Sequence, residues 1–144
     1  MKDVDFTYRS AIYTALNGAI TYGGNVIKVF SGYAETTDNL YIVIGDSSVT
    51  NNNNKHKFGN TATITIEVVH HLTRGVTYKE VDDVYNSMMT ILIPRPQTAG
   101  FNMGVNFQAL NVTAESNHFL EQTLEKVLRK IVRVQSLIIE NQIY

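Results

Sequence analysis

No cysteine occurs among the 144 residues. Disulfides, thiolate metal ligands and a cysteine nucleophile are therefore excluded, whatever the compartment. Charge is sparse too: 17% of the residues are charged, and 12 Lys and Arg against 13 Asp and Glu leave a formal net charge of −1. That balance gives no electrostatic case for general nucleic-acid binding, which rests on a basic excess. No apolar run approaches the roughly 20 residues that span a bilayer. The polar opening Met1-Lys2-Asp3-Val4-Asp5 lacks the apolar centre of a signal peptide, so a cytoplasmic protein is expected. Catalytic spacings are missing as well: the chain has no G-x-x-x-x-G-K-S/T phosphate loop, no G-x-S-x-G elbow and no H-E-x-x-H pair. Neither a repeat nor a linker divides it. With 44% hydrophobic residues, the length suits one domain over 1–144 with a real core.

The clearest pattern is in residues 62–92. Ala62, Ile64, Ile66, Val68 and Leu72 alternate with Thr63, Thr65, Glu67 and His71, a period of two that predicts a strand with one face on a core. Val81, Val84, Tyr85, Met88, Ile91 and Leu92 then recur every three or four residues, which predicts an amphipathic helix. Proline is scarce. Pro94 and Pro96 bracket Arg95 and end that helix.

Earlier in the chain, Tyr8, Ile12 and Leu16 share a helical face over 6–17. Asp5 is placed to cap it, and Asn17-Gly18 offers a left-handed exit. Gly23-Gly24 marks a turn, residues 26–30 a short strand, and Leu40-Tyr41-Ile42-Val43-Ile44 a central strand closed by Gly45-Asp46. The polar run 47–60 has little apolar surface to bury and is expected to be a long solvated loop between antiparallel strands. Residues 104–115 read as a strand. The last stretch, 120–140, fits either a helix through Leu120, Leu124, Leu128 and Ile131 or a strand rich in β-branched residues, with the composition leaning to the strand. The predicted class is α+β: a mostly antiparallel sheet with two helices packed on one side, in the order α-β-β-β-α-β-β.

Candidate chemistry is thin. In a strand, His70 and His71 point to opposite faces and cannot easily share an ion; with His56 and His118 in presumed loops, they read as ordinary histidines and no metal site is expected. Glu80, Asp82 and Asp83 read as acids favoured by a helix dipole, and Thr77 with Glu80 as a capping box. Lys126, Arg129, Lys130 and Arg133 form the one basic cluster. In a strand, Arg129 and Arg133 share one face and Lys126 and Lys130 the other; in a helix they make one stripe. With Glu121 and Glu125 nearby, a solvated or inter-subunit salt-bridging face fits better than a nucleic-acid stripe. Tyr8, Tyr13, Tyr41 and Tyr85 belong to core or interface.

The order of these pieces resembles the tail-completion or tail-terminator proteins of tailed bacteriophages. The likeness runs through Ala11-Ile12-Tyr13-Thr14-Ala15-Leu16 and Val26-Ile27-Lys28-Val29-Phe30. It continues in Leu40-Tyr41-Ile42-Val43-Ile44-Gly45-Asp46, similar to the family's "PYVVIGE"-like strand with leucine where proline is usual. The polar loop, the strand 62–72, Arg74-Gly75 and the helix 80–92 follow, then Ala114-Glu115-Ser116 and Arg129-Lys130-Ile131-Val132-Arg133. The match covers about residues 5–140, and its specificity lies in the order of motifs that are individually weak.

That resemblance implies a virion protein without catalytic residues, cofactor or metal, assembled in the host cytoplasm. It implies a homo-oligomeric ring, six-fold or twelve-fold, at the head–tail junction, in contact with a connector, adaptor or tail tube. DNA passes through the lumen without specific binding, and no membrane is involved. The expected contact residues are Asn51, Asn52, Asn53, Asn54, Lys55 and His56 of the polar loop, with Arg129 and Arg133 of the late basic cluster. The outward set Thr63, Thr65, Glu67 and His71 is a further place for subunit contacts.

Overall fold

In the computed structural model, residues 3–34, 38–53, 58–71, 78–122 and 126–141 are described. The chain runs α1 (Asp5–Leu16), β1 (Thr21–Tyr22), β2 (Asn25–Val26), β3 (Lys28–Ser31), β4 (Leu40–Asn51), β5 (Gly59–His71), α2 (Tyr78–Leu92), β6 (Phe107–Gln122) and β7 (Val127–Glu140). β1 and β2 form a small hairpin, and the other five strands form one sheet in the order β3-β4-β5-β7-β6. Every pairing in that sheet is antiparallel except β3 with β4. Leaving the small hairpin aside, the α+β class and the order α-β-β-β-α-β-β are as expected, and 127–140 is a strand.

The alternation in β5 sets the layering. Ala62, Ile64, Ile66 and Val68 are buried, and their partners on β7 include Val132 and Val134. Both helices cover this face. Tyr8, Ala11, Ile12 and Leu16 of α1, with Val81, Val84, Tyr85, Met88 and Leu92 of α2, join the sheet residues in one apolar cluster. Burying such side chains stabilises by roughly 1.5–3 kcal/mol each, and this face supplies most of the apolar burial. The outer face carries a smaller cluster, Tyr41, Val43, Val69 and Val127 with Phe30 and Ala34 against it.

Two glycine features shape the connections. Gly23 and Gly24 both have positive φ, the conformation that a two-residue hairpin turn of type I′ needs. Gly100 lies so close to α2 that an added Cβ would fall 1.7 Å from the Ile91 carbonyl oxygen, and its N–H donates to the Leu92 carbonyl at 2.8 Å. The segment after Pro94 and Pro96 is thereby folded back onto the end of the helix.

Several expectations are corrected. The 47–60 run is not one long loop: residues 47–51 and 59–60 extend β4 and β5, and Gly45-Asp46 marks a register shift inside β4 rather than its end. In this part of the hairpin the outer face is all serine and threonine, and the helix-side face has Val49 and Ala62 but also Ser47, Asn51 and Asn60, so the period-two signal is weak while the backbone still pairs. Serine and threonine cross-strand contacts support it, with Ser48 Oγ and Thr63 Oγ1 at 2.6 Å. Residues 41–44 do form an interior strand, buried and paired with β3 on one side and β5 on the other, as expected.

β6 extends to Gln122, so His118 belongs to a strand rather than a loop. Two register shifts, the first beside Asn111 at φ 50°, break the period that would have announced it. The short strand expected at 26–30 is divided between β2 and β3. Asp5 does not cap α1. Val4 occupies the N-cap without a side-chain bond, Asp3 Oδ1 accepts the Asp5 N–H at 3.0 Å, and the Asp5 carboxylate accepts the Ser47 hydroxyl instead. The capping box at Thr77 and the end of the predicted strand at Leu72 lie outside the described residues.

Candidate functional site

Of the contact residues singled out from the sequence, Asn51, Asn52 and Asn53 lie at the end of β4, and Arg129 and Arg133 lie on the outer face of the sheet. Asn51 is the last residue of β4 and pairs with Asn60. Asn52 closes the hairpin: its N–H donates to the Gly59 carbonyl at 2.7 Å and its side-chain amide donates to Thr61 Oγ1. Asn53 Oδ1 accepts the Gly59 N–H at 3.2 Å. These asparagines are exposed, yet part of their hydrogen-bonding capacity is spent in holding the tip. Asn54, Lys55 and His56 lie outside the described residues.

The basic cluster divides by face, as the strand reading requires. Arg129 and Arg133 stand on the outer face, where Arg129 Nη1 meets Glu67 Oε2 at 2.9 Å and Arg133 Nε meets Glu115 Oε2 at 3.4 Å. Lys130 points to the helix side, with Nζ 2.8 Å from Asp82 Oδ1 and 4.2 and 4.8 Å from the ring centres of Tyr85 and Phe119. Lys126 is not on a strand face at all. It sits exposed in the β6–β7 turn with φ 54°. The acid partners also differ from those expected, because Glu121 instead accepts the Tyr78 hydroxyl at 3.2 Å and Glu125 lies outside the described residues. Acids distant in sequence, Glu67, Asp82 and Glu115, do that work. Only the folded sheet brings them within reach.

The two central histidines occupy opposite faces. His71 Nε2 is 3.0 Å from the Tyr41 hydroxyl. His70 is buried, and its Nδ1 has no hydrogen-bond partner among the described residues. Burial holds its pKa below the usual histidine value, opposed by the nearby Glu80 carboxylate and reinforced by His71. Tyr8 is wholly buried, its hydroxyl 3.0 Å from Ser136 Oγ, and burial pushes its pKa up to about 12. Among the described residues, no group of three or more His, Asp or Glu side chains could hold a metal ion.

Shallow grooves of about 400 Å³ flank the segment 97–104. One faces α1 along Thr7, Ala11 and Phe101; the other faces β6 along Gln97 and Phe107. Neither is lined by a titratable side chain, and His71 lines neither. The groove along α1 that holds Phe6, Arg9 and Tyr13 contains no carboxylate or histidine. No helix among the described residues is long and apolar enough to cross a membrane.

What the arrangement does offer is strand edges. β3 pairs with β4 only from Tyr41 to Ile44, so residues 47–51 have no strand beside them on that side among the described residues. Where the pairing stops, Arg9 reaches from α1 to the Ile44 and Gly45 carbonyls and to the hydroxyls of Ser31 and Ser47. β6 is the opposite edge. Along it, among the described residues, the one isolated bridge is Gln97 to Val112, beside the Arg95–Thr98 turn. Sequence reasoning missed both edges. The only available signals were the β-branched Val49 and Thr50 and the apolar Phe119 and Leu120.

No protein-family model matches the chain, and no curated protein does. Among solved structures, the chain is similar to one from the virion of a native gene transfer agent particle. The TM-score is 0.74 over 98% of this chain and 100% of that chain, at 12% identity. At that identity the likeness is one of fold, and it extends from end to end of both chains.

Proposed function

We propose that the protein is a non-catalytic structural component of a tailed-phage virion, forming a ring at the head–tail junction as a tail terminator, tail-completion protein or neck ring. The observation that carries this reading is the end-to-end fold likeness to a chain of a gene transfer agent virion, with no domain of either chain left over. The motif order described above supports it, because it resembles the tail-terminator family over most of the same residues. The chemistry of the surface agrees. The two grooves that flank 97–104 have no titratable side chain in their lining, while the exposed features of the described residues include a polar hairpin and strand edges, which suit contact with other protein chains.

In this reading the subunits close a six-fold or twelve-fold ring by heterologous contacts, each using two different patches of its surface. The ring caps the tail or connector and meets the next component, and DNA passes through its lumen without specific binding. The β4–β5 hairpin, with Asn51, Asn52, Asn53, Asn54, Lys55 and His56, projects into the lumen or onto a neighbouring ring. Arg129 and Arg133 mark a polar contact face. Light scattering after size exclusion, with negative-stain microscopy of the protein and of particles, tests the proposal. A ring at the neck of particles is expected. A strictly monomeric protein absent from virions overturns it, and capture of soluble host factors alone favours an adaptor or chaperone of similar fold.

A further inference from the structure

Each edge of the five-stranded sheet is guarded over one half, and the guarded halves lie diagonally opposite. At the hairpin end, residues 47–51 of β4 have no strand beside them among the described residues, whereas β6 at the same level is bridged by Gln97. At the other end β3 covers β4, whereas residues 116–122 of β6 have no strand beside them among the described residues. A bare run of backbone donors and acceptors invites a partner strand, and the usual deterrents are charge and proline on the edge. Neither segment contains a proline or a lysine, and Glu121 is the one charged residue in the two together.

We infer that the subunits join by pairing residues 47–51 of one copy with residues 116–122 of the next, so that the sheet runs continuously from subunit to subunit. The inference rests on the ring reading above and specifies its contact. Three features select a second copy as the partner. First, direction: β4 is antiparallel to β5, β5 to β7 and β7 to β6, so β4 and β6 run oppositely and meet antiparallel when one sheet continues into another. Second, facing: pairing Val49 with Phe119 places Ser48 opposite Leu120 and Thr50 opposite His118, and all four side chains lie on the outer face of their own sheet. The pleat therefore continues without a slip.

Third, charge. The same register sets Asp46 level with Gln122, beside the turn that carries Lys126. Both Asp46 and Lys126 are exposed and neither has a partner among the described residues. Opposite charges thus meet at the end of the joint.

The geometry also bears on closure. Val49 lies in line with Ser136 of β7 through Ala62, and Phe119 with Lys130. The two open segments are therefore offset by six residues along the strands, about 20 Å. A fixed stagger between neighbours is what a sheet needs in order to close on itself with tilted strands, whereas edges without offset extend a flat one.

The chain's lack of cysteine makes the test direct. Full-length double variants Ser48→Cys/Leu120→Cys, in the inferred register, and Thr50→Cys/Leu120→Cys, two residues out of it, are oxidised and run on a denaturing gel. The first is expected to give a ladder of covalent multimers ending at the ring and the second to cross-link far less, while an equal mixture of the single variants Ser48→Cys and Leu120→Cys stops at dimers. Thr50→Lys is expected to abolish assembly without a change in secondary structure. Asp46→Lys is expected to raise the concentration for half-assembly about tenfold, and adding Lys126→Asp to restore it. If the wild-type protein forms a ring but neither double variant cross-links and Thr50→Lys still assembles, the edge pairing is wrong and the ring reading stands. Quantitative dimers from Ser48→Cys alone indicate a symmetric β4–β4 contact and also overturn the pairing. A wild-type protein that is monomeric and absent from particles removes the ring reading and the pairing with it.

Discussion

The two faces of the five-stranded sheet are made from the same strands, residue by alternate residue, yet they answer to different demands. On β5, Ile64 and Ile66 lie under the helices with almost no exposure, while Thr63, Thr65 and Glu67 between them remain half-buried on the outer face. On β7 the contrast falls on consecutive residues. Arg129 pairs with Glu67 on the outer face, and Lys130 is held on the helix side between Asp82 and two aromatic rings. The difference teaches how unequally the two faces contribute to burial. The covered face supplies most of the apolar burial that stabilises the fold, and the outer face carries a smaller apolar cluster and ion pairs.

The sharpest way to break the contrast is to put the same charge on both faces. Ile66→Asp buries an unpaired carboxylate and is expected to cost more than about 4 kcal/mol, leaving insoluble protein. Thr65→Asp, one residue away on the outer face, is expected to change stability by less than about 1 kcal/mol. Soluble expression and thermal unfolding of the pair check this. Normal solubility and melting of Ile66→Asp would show that the inward face is misassigned.

The next effect concerns a polar contact inside the covered face. Tyr8→Phe strips the wholly buried Ser136 hydroxyl of its partner and is expected to cost about 1–3 kcal/mol. The double variant Tyr8→Phe/Ser136→Ala removes both groups and is expected to recover much of the loss. Denaturant unfolding of the full cycle measures the coupling.

A smaller difference is expected between the two neighbouring cations. Lys130→Met removes an ion pair and contacts with two rings from a largely buried site, and costs about 1–2 kcal/mol. Arg129→Met removes a more exposed pair and costs about 1 kcal/mol or less. Equal costs would erase the distinction between the faces at this level of the sheet.

The gentlest test uses pH. Burial lowers the pKa of His70 in the folded protein, so the unfolded chain takes up its proton first as pH falls. The stability that neutral His70 retains is complete above the ordinary histidine pKa and is lost as the solution is acidified below it. Melting temperature is therefore expected to fall between pH 7 and pH 5, and His70→Met to flatten that slope. An unchanged slope would assign the acid sensitivity to other groups.

Legibility followed the strength of periodic patterns. Ala62, Ile64, Ile66 and Val68, and the helical set from Val81 to Leu92, announced their elements because each buries one face against a core. The extension of the β4–β5 hairpin did not, since Ser48, Thr50, Thr61 and Thr63 are polar on the outer face and Ser47, Asn51 and Asn60 interrupt the apolar set on the buried one. β6 was cut short because its register shifts break the alternation. Of the candidate contact residues, Arg129 and Arg133 were correctly assigned to one face, but their partners Glu67 and Glu115 were not foreseen. Those acids are far away in sequence and adjacent only across the sheet.

The sequence by itself determined the class of the fold, the inward faces of β5, α1 and α2, and the absence of thiol chemistry, because these depend on local periodicity and on residue types present or missing. Tertiary structure decided which charges pair and that Asp5 bonds Ser47 rather than capping its own helix. It also decided which halves of β4 and β6 stay open. Strand order and register are set by contacts between distant segments, and no local pattern of apolar residues encodes which edge of a sheet will be left without a neighbour.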